Sequence, residues 1–429
     1  MPHSPLRVLV IGYVWPEPRS SAAGGHMMQL LESFLGAGWQ VTFASPAALG
    51  EHKADLVALG IAERNILLNH SSFDEFVVEL APDVVLFDRF MMEEQFGWRV
   101  ARHCPQALRV LETCDLHGLR DARQQLLKAR LKRSDAGEDF SDLFEDALHG
   151  VYRHMAGADV TLREVAAIYR SDLSLMISDV EQQLLIEQFR LPAALLHWCP
   201  LMLDPPRQAL PTFSEREHFL SIGNFRHEPN WDAVLWLKHA IWPLIRAQLP
   251  QAQLHIYGAY TPPKASALHN PRQGFHIMNW AEDALQVMSA ARVNLAPLRF
   301  GAGIKGKLAD AMLCQTPSVT TPIGAEAMHG QWPWPGAVAS TAQAFADAAV
   351  ALHQDPVLWQ QSQLQAQRLL AERYDRGRHG AALIARIEAL LADTAAHRLA
   401  NFTGAMLQHH QHKSTQYMAQ WIEAKNAGK

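Results

Sequence analysis

The sequence is short of cysteine and contains no long apolar run. Four of its 429 residues are cysteines, and none of them shows the short paired spacing of zinc or redox sites. We therefore interpret all four as core residues of a protein from a reducing compartment: Cys104, Cys114, Cys199 and Cys314. No segment reaches the length of a membrane-spanning helix. The apolar run Leu6 to Val14 has neither a basic leader nor a cleavage site after it, which predicts a cytoplasmic protein and leaves peripheral membrane contact open.

The chain also lacks a strong charge of either sign. Its 38 basic and 43 acidic side chains leave a formal net charge of -5, so the protein as a whole does not attract nucleic acid. The basic stretch Arg120 to Arg133 could hold an anionic membrane surface or an RNA backbone. Acidic residues from Asp135 to Asp146 follow directly, which favours a solvated helix. The tail histidines lack nearby cysteine or acidic ligands, so we expect no metal site at His409, His410 and His412.

What the chain does contain is an alternation of short apolar runs and amphipathic helices, in two blocks. Buried parallel strands with crossover helices produce this pattern. In the first block, strands are predicted at 6–13, 39–44, 84–87, 108–111 and 173–177. The proline-rich segment 201–211 breaks the periodicity and predicts a linker. In the second block, strands are predicted at 219–222, 254–257, 293–296 and 318–321, with helices near 231–247, 281–291 and 307–313.

The most informative segment is VNLAPLRFGAGIKGKLADAM, residues 293–312, in which a strand ends in a glycine-rich turn and a helix begins at about Gly306. Glycines let the backbone approach a ligand closely, and the free N–H groups at a helix start point outward. Lys305 and Lys307 add charge suited to a diphosphate. We interpret the segment as a phosphate-binding loop rather than as a turn with two solvated lysines.

The same glycines leave an alternative open. Gly301, Gly303 and Gly306 match the dinucleotide fingerprint, and Glu326 lies about twenty residues further on, where a ribose-binding acid is sought. An NAD-dependent dehydrogenase is therefore a second hypothesis. The fingerprint lies deep in the second block instead of at its first strand-to-helix turn, which weakens this hypothesis.

Two stretches resemble a known family. GAGIKGKLADAMLCQTPSVTTPIGAEAM resembles the donor-binding signature of retaining glycosyltransferases of the GT-B fold, the group numbered family 4. FLSIGNFRHEPNWDAVLWLKHAIWPLI resembles that group's opening of the second domain. The resemblance extends from about Arg7 to about Tyr374 and implies an α/β protein of two facing Rossmann-like domains, with parallel sheets and a cleft between them. By it, residues 1–205 lie on the acceptor side and 206–375 bind the nucleotide sugar, helices of 376–400 cross back to the first domain, and 401–429 is a polar tail of uncertain order.

The resemblance also implies a reaction. It predicts metal-independent transfer of a hexose, with retention of configuration, from a UDP- or GDP-linked donor, with no cofactor and no obligate protein partner. The acceptor could be a lipid-linked saccharide, a protein or an RNA.

At two pairs of positions the sequence departs from the family pattern. The family typically has two glutamates separated by seven residues, and the corresponding positions here are Ala302 and Asp310. Asp310 can still accept hydrogen bonds from ribose hydroxyls, whereas Ala302 lacks the carboxylate that would help choose the sugar. Asn224 and Pro229 occupy the places of the family's arginine and lysine beside the first loop. A non-catalytic sugar-nucleotide-binding protein is therefore a third hypothesis.

The predicted donor site combines residues from both domains. Arg226, Lys305 and Lys307 are expected to replace the missing basic pair, and Gly24 and Gly25 resemble the family loop that touches the donor phosphate from across the cleft. The predicted donor-binding residues are Gly24, Gly25, Gly223, Asn224, Arg226, Gly301, Gly303, Ile304, Lys305, Lys307 and Asp310.

The predicted catalytic groups follow the strand at 108–111. The sequence ETCDLHGLR places Asp115, His117 and Arg120 beyond the carboxyl end of that strand, where open α/β sheets bind ligands. His117 resembles a family histidine near the transferred sugar, where imidazole can hydrogen-bond a sugar hydroxyl or the forming charge, and Asp115 could orient it. A structural histidine in a capped loop is the other interpretation. Asp88 and Arg89 follow their strand in the same way and are acceptor-side candidates with Arg120, although a simple surface ion pair is favoured for them.

Overall fold

Two parallel sheets with helices packed around them organise the chain. The computed structural model describes residues 5–133, 140–145, 149–206 and 209–427. In the first sheet all strands are parallel, in the order β3-β2-β1-β4-β5-β6-β7. These strands are β1 (Arg7–Ile11), β2 (Gln40–Ser45), β3 (Ala62–Asn65), β4 (Val84–Asp88), β5 (Leu108–Glu112), β6 (Leu173–Met176) and β7 (Leu196–Trp198).

The second sheet is also parallel and has the order β10-β9-β8-β11-β12-β13. Its strands are β8 (Phe219–Ile222), β9 (Leu254–Tyr257), β10 (Phe275–Asn279), β11 (Val293–Ala296), β12 (Ser318–Thr320) and β13 (Gly336–Val338). The predicted α/β fold with two parallel-sheet domains is therefore confirmed.

Helices connect the strands as crossovers. Those of the first domain are α1 (Ala22–Gly36), α2 (Ser72–Leu80), α3 (Phe90–His103), α4 (His117–Leu131), α5 (Ser141–Glu145), α6 (His149–Ala156), α7 (Asp159–Arg170) and α8 (Asp179–Glu187). The second domain has α9 (Glu228–Trp236), α10 (Trp242–Gln248), α11 (Pro263–Ser266), α12 (Ala284–Ala290), α13 (Gly306–Leu313), α14 (Pro322–Ala325), α15 (Ala342–Gln354) and α16 (Pro356–Arg373). The chain closes with α17 (Arg376–Ala392), α18 (Thr394–Ala400) and α19 (Phe402–Ala427).

Burial on both faces explains why the strands read as continuous apolar runs. In β1, Val8 and Val10 pack into one apolar cluster with α1 and α17, while Leu9 and Ile11 pack into the cluster on the opposite face. The strand order reverses between β1 and β4. At such a point the connections leave in opposite directions, so a crevice opens beyond the carboxyl ends of the strands.

The strands that the sequence did not predict are β3, β7, β10 and β13. All four are the outermost strands of their sheets, and β7 and β13 are only three residues long. β3 reads AERN and has no buried residue, so it carries no apolar signal at all. Edge strands bury less surface than central ones, and their sequences carry a correspondingly weaker pattern.

The last helices return to the first domain. α17 places Leu383, Ile387 and Leu390 in the same cluster as β1 and α1. The crossing lies beside the earlier linker, because the N–H of Leu203 donates to the carbonyl of Tyr374 at 2.7 Å.

The described part of the C-terminal tail is helical, a feature that its polar sequence did not predict. Residues 402–427 form α19, which packs on α7 and α3. Asn401 and Gln408 donate side-chain hydrogen bonds to the carbonyls of Tyr169 and Arg170. Because the packed face uses such polar bonds and the small residue Ala419 instead of large apolar side chains, the sequence lacks a helical apolar stripe.

Several sequence-based expectations concern residues beyond the described ranges. The acidic stretch from Asp135 to Asp146 lies mostly outside them, as do the side chains of His410 and His412. Within the described ranges no helix is long and apolar enough to cross a bilayer. The same ranges contain no group of three or more His, Cys, Asp or Glu side chains that could hold a metal ion.

A row of histidines lies across one end of the second sheet. The rings of His218 and His255 stack at 4.1 Å between centroids, and His276 lies edge-on to His255 at 5.5 Å. Burial and the neighbouring His255 and His353 lower the pKa of His218 to about 4. Burial, followed by a neighbouring histidine, also lowers the pKa of His255 and of His276. The folded domain therefore favours three neutral rings.

Acid should destabilise the protein through this row. The unfolded chain takes up protons near pH 6.5, whereas the folded row resists them until lower pH, so stability falls as the pH drops from about 6.5 towards 4. We expect His255→Gln to reduce the loss of melting temperature between pH 7 and pH 5 by about 2 °C, since about 1 kcal/mol accompanies each pKa unit that is restored. The exposed His239→Gln is the matched control. Equal pH dependence in both variants would contradict the role of the row.

Candidate active site

Two helix starts, one from each domain, meet at the cleft. A Cβ placed on Gly306, the first residue of α13, would lie 2.4 Å from the Cβ of Ala22, the first residue of α1. The first N–H groups of a helix have no intrahelical partner, and the helix dipole makes this end positive. The convergence of two such ends favours an anion at this point of the cleft.

Lys307 adds a cation beside these helix ends. Its Nζ donates to Oδ1 of Asn230 at 2.7 Å and would lie 2.7 Å from a Cβ placed on Gly223. It forms no ion pair with any carboxylate of the described residues. Burial alone lowers the pKa of Lys307 to about 7. A desolvated ammonium without a counterion costs free energy, and a bound phosphate would remove that cost.

Lys305 points elsewhere, and the rejected alternative of a turn with two solvated lysines does not fit it. Lys305 is only 8% exposed, and its Nζ donates to the carbonyl of Gly303 at 2.7 Å. Burial lowers the pKa of Lys305 to about 8, against the opposing effect of Glu326. The loop turns into the contact between the domains, where Ile304 packs in an apolar cluster with Ile177 of the first domain. The side chain of Ile304 therefore serves packing, and a part for Lys305 in donor binding stays a prediction.

The turn 301–303 is held by side chains of the first domain. Arg123 forms a two-point ion pair with Glu326 at 2.8 and 2.7 Å and also donates to the carbonyl of Gly301 at 2.9 Å. Glu181 accepts a hydrogen bond from the N–H of Gly303. Although burial by itself would raise the pKa of Glu326, Arg123 holds it below its ordinary value. Glu326 is thus committed to Arg123, which argues against its use as the ribose acid of a dinucleotide site.

His117 is the first residue of α4 and lies next to Asp115 in the cleft. Its Nε2 is 3.4 Å from Oδ1 of Asp115, and Phe90 contacts the ring edge-on. Burial lowers the pKa of His117 to about 4; Asp115 opposes this shift, and Arg120 and Arg89 add to it. The imidazole is therefore neutral near pH 7, so it can exchange hydrogen bonds with a ligand but does not carry a charge.

Asp115 lies between His117 and the second domain. It forms a close ion pair with Arg120, and although burial would raise its pKa, Arg120 and then His117 lower it. A Cβ placed on Gly303 would lie 2.9 Å from the Cβ of Asp115. Gly303 has φ +65, so both its conformation and its surroundings require glycine. The loop with the predicted catalytic residues thus touches the predicted donor loop directly.

Asp88 and Arg89 form an ion pair, but it is largely buried and not the simple surface pair that the sequence favoured. Asp88 is 6% exposed, and its carboxylate accepts from the N–H of Tyr13 at 3.0 Å and from Sγ of Cys114 at 3.4 Å. Arg89 Nε lies 3.7 Å from Asp88, and its guanidinium stands over the ring of Tyr13. Cys114 is therefore part of the cleft wall and not simply a core residue.

The backbone at these strand ends is strained. Arg89 has φ +72 and ψ 158, and Cys114 has φ +59. Side chains other than glycine rarely adopt such conformations, which concentrate at functional sites. Both residues lie where the first sheet opens its crevice, which supports an acceptor side there.

The remaining predicted donor residues lie around the rim. A Cβ on Gly24 would lie 2.5 Å from the carbonyl oxygen of Glu17, whereas a Cβ on Gly25 would meet nothing within 4 Å. Asn224 accepts from the N–H of Arg226 at 2.8 Å, and the Arg226 guanidinium stands 3.6 Å from the centroid of the Tyr260 ring. Tyr260 in turn donates to Glu17 at 3.1 Å, which joins the two domains at the mouth of the cleft.

Asp310 has no side-chain partner in the part of the chain that the structure describes. Among the described residues no side-chain hydrogen bond or ion pair to Asp310 occurs, and burial raises its pKa to about 7. It lies one turn beyond Gly306 on α13. A half-buried acceptor of this kind is suited to the hydroxyl groups of a ribose.

Sequence reasoning missed four residues of this region: Arg123, Glu181, His227 and Asn230. Arg123 stood in a stretch interpreted as a solvated helix, and Asn230 lies directly before the predicted helix near 231–247. His227 precedes α9 and its side chain is exposed; desolvation lowers its pKa and Asp115 opposes the shift, so His227 and Asp115 lie near each other across the cleft. The position of His227 directly after Arg226, in a loop already singled out, was the one available signal.

Comparisons with known proteins agree with this geometry. Residues 216–355 match the family model described as glycosyl transferases group 1. No curated protein matches the chain. Among solved structures, a glycosyltransferase from Rickettsia africae is similar with a TM-score of 0.64 at 10% identity, covering 91% of this chain and 100% of the other.

Two further structures show the same similarity. The Anabaena protein HepE, in complex with UDP and glucose, gives a TM-score of 0.62 at 13% identity over 90% of this chain and 100% of its own. Sucrose-phosphate synthase from Thermosynechococcus elongatus gives 0.63 at 14% identity over 90% and 99%. The TM-scores of these three structures establish the fold. The family match adds evidence from the sequence of the second domain. Residues 216–355 thus match the group 1 glycosyltransferase family model, and the chain as a whole has the GT-B fold of two parallel-sheet domains around a cleft.

Proposed function

We propose that the protein transfers a sugar from a nucleotide-diphosphate sugar to an acceptor, with retention of configuration and without a metal. The observation that carries the proposal is Lys307, a half-buried lysine that forms no ion pair with a described carboxylate and lies beside the converging starts of α1 and α13. The group 1 family match includes this lysine. A diphosphate supplies the negative charge that the position lacks.

The groups around this position divide the work of transfer. Lys307 and the N–H groups at the start of α13 stabilise the charge that grows on the departing diphosphate. Asp310 accepts from the ribose, and Arg226 covers the donor at the rim. His117, neutral and held near Asp115, offers a hydrogen bond to the sugar as charge develops. Asp88 and Arg89 line the acceptor side at the carboxyl end of β4.

Two features bear on the donor. HepE was solved with UDP and with UDP-glucose, which makes uridine nucleotides the first to test. Ala302 offers no carboxylate to sugar hydroxyls, and its methyl group packs against the apolar cluster of the first domain. We therefore propose a UDP- or GDP-linked hexose as the donor class.

A thermal-shift screen of nucleotides and nucleotide sugars tests this proposal. We expect UDP or GDP and one of their sugars to raise the melting temperature, since a ligand that binds only the folded state stabilises it. Release of the nucleotide diphosphate then reports turnover, and the anomeric configuration of the product, observed by NMR, reports retention. Stabilisation by NAD instead would favour the dehydrogenase. Binding of a nucleotide sugar without hydrolysis or transfer would favour the non-catalytic protein.

A further inference from the structure

Glu181 is a buried carboxylate of the first domain that contacts both sides of the cleft. It lies in the first turn of α8 and is 0% exposed. Its Oε2 accepts from the N–H of Leu116 at 3.1 Å, immediately before His117. Its Oε1 accepts from the N–H of Gly303, in the turn that precedes α13. One side chain therefore bonds the loop of the predicted catalytic residues and the donor-side loop at once.

The carboxylate is not used by its own helix. Ser178 and Glu181 have the spacing of a capping box, and the Ser178 hydroxyl does accept from the N–H of Glu181 at 3.1 Å. The reciprocal bond from Glu181 to the N–H of Ser178 is absent in this described segment, since both carboxylate oxygens bond other elements. Burying a carboxylate costs free energy unless its bonds are satisfied. The bonds that offset this cost are the two between loops.

We propose that Glu181 is a positioning residue for sugar transfer, which fixes the donor-side loop against the loop that carries Asp115 and His117. The inference rests on the proposed function. The two loops are already in van der Waals contact at Gly303 and Asp115. A shift of either loop would move the departing diphosphate relative to His117, and displacements of about 1 Å can cost on the order of 100-fold in rate.

Arg123 holds the same turn from the other side, through the carbonyl of Gly301. Its removal would also break the buried ion pair with Glu326, so an Arg123 variant would lose stability for a second reason. Glu181 forms no ion pair among the described residues. It is therefore the better residue for testing the contact between the loops.

The titration of Glu181 offers a readout that packing alone would not give. The charged groups facing it are Asp115 and Glu164 in the first domain and Lys305 and Glu326 in the second. Burial and then Asp115 raise the pKa of Glu181 to about 7, against the opposing bond from Gly303. Separation of the loops would return the carboxyl towards its ordinary pKa of about 4.3. The joined state thus binds the proton more tightly, so the contact weakens as the pH rises through about 7.

Two variants and one control test the proposal in the full-length protein. Glu181→Ala removes both bonds. Glu181→Gln keeps the size of the side chain, but its amide NH₂ group faces one of the two backbone N–H donors and cannot accept from it. Glu187→Gln, on the exposed face of the same helix, is the control. The measurements are hydrogen exchange of peptides covering 115–118 and 301–305, nucleotide affinity, and kcat.

We expect exchange in both peptides to rise about tenfold in Glu181→Ala, and in at least one of them in Glu181→Gln. In both variants we expect kcat to fall about tenfold while nucleotide affinity stays within about threefold. The increase of exchange between pH 6 and pH 8, corrected for the intrinsic rate, should disappear in Glu181→Gln. The control should behave as wild type.

Unchanged exchange and unchanged kcat in both Glu181 variants would overturn the proposal. So would a loss of kcat that merely follows a lower melting temperature and uniformly faster exchange across the first domain. If the wild-type protein transfers no sugar, the proposed function has failed. The exchange of the two peptides then decides by itself whether Glu181 joins the loops.

Discussion

Replacing Lys307 by methionine should weaken the binding of UDP or GDP by about 10- to 100-fold and leave the fold intact. The lysine donates to Asn230 and otherwise lacks a counterion among the described residues, so a bound phosphate would be its main charged partner. A hydrogen bond to a charged group contributes about 1.5–3 kcal/mol, and about 1.4 kcal/mol corresponds to a factor of ten in affinity. Because Lys307 is half-buried and forms no ion pair among the described residues of the free protein, the melting temperature should not fall.

The pH dependence of binding adds a second test of Lys307. In the free protein burial keeps the pKa of Lys307 at about 7, while a bound diphosphate favours the ammonium form. Binding must then add a proton above pH 7, so affinity should fall by up to about tenfold for each pH unit from 7 to 9. The terminal phosphate, with a pKa of about 6, has already lost its proton in this range. In Lys307→Met the dependence should vanish.

Isothermal titration with UDP and GDP at pH 7, 8 and 9 measures both effects. Lys264→Met, an exposed lysine of the same domain, removes the same charge and serves as control. Lys305→Met should affect affinity less, because its ammonium is bonded to Gly303. Wild-type affinity in Lys307→Met would contradict a phosphate site at this position. Equal losses of affinity in Lys264→Met would show that the effect comes from long-range charge and not from contact with the phosphate.

The fold could be predicted from the sequence because most of its strands are buried on both faces. Val8, Val10, Leu9 and Ile11 alternate between two apolar clusters, which leaves a continuous apolar run that any strand pattern detects. β3 and α19 could not be read in the same way. Strand β3, with the sequence AERN, is held by backbone pairing with β2. Helix α19 is held by side-chain hydrogen bonds from Asn401 and Gln408. Neither kind of contact produces a periodic apolar signal.

The site was predictable where local chemistry marks it and unpredictable where the two domains meet. Gly306 and Lys307 indicate a helix start with a positive charge beside it. This local pattern can be recognised without knowing the surrounding structure. The direction of Lys305 depends on the first domain, which covers its loop and turns its ammonium inward. Glu181 has the spacing of a capping box with Ser178, which would be satisfied within one helix, so nothing in the sequence marks it as a contact across the cleft.

His117→Ala should lower kcat by about 100- to 1000-fold while nucleotide affinity stays within about twofold. Loss of one hydrogen bond that acts mainly on the developing charge typically has an effect of this size, and it appears in kcat because the ground state does not use the bond. Truncating a largely buried ring also costs some stability. The rates are therefore compared at a temperature where the variant is fully folded, with the exposed His154→Ala as control.

His117→Gln and the pH profile separate a hydrogen-bonding role from a charged one. With its pKa at about 4, the imidazole is neutral from pH 5 to 8, so its titration should leave kcat flat across that range and lower it only in more acidic solution. A neutral amide can replace part of the hydrogen bonding of a neutral imidazole. His117→Gln should therefore be about tenfold more active than His117→Ala. If Gln is as inactive as Ala and the wild-type rate rises towards pH 5, the imidazolium is the active form. If His117→Ala transfers sugar at the wild-type rate with normal stability, His117 has no chemical role, and Asp115, Arg120 and the facing His227 become the residues to test.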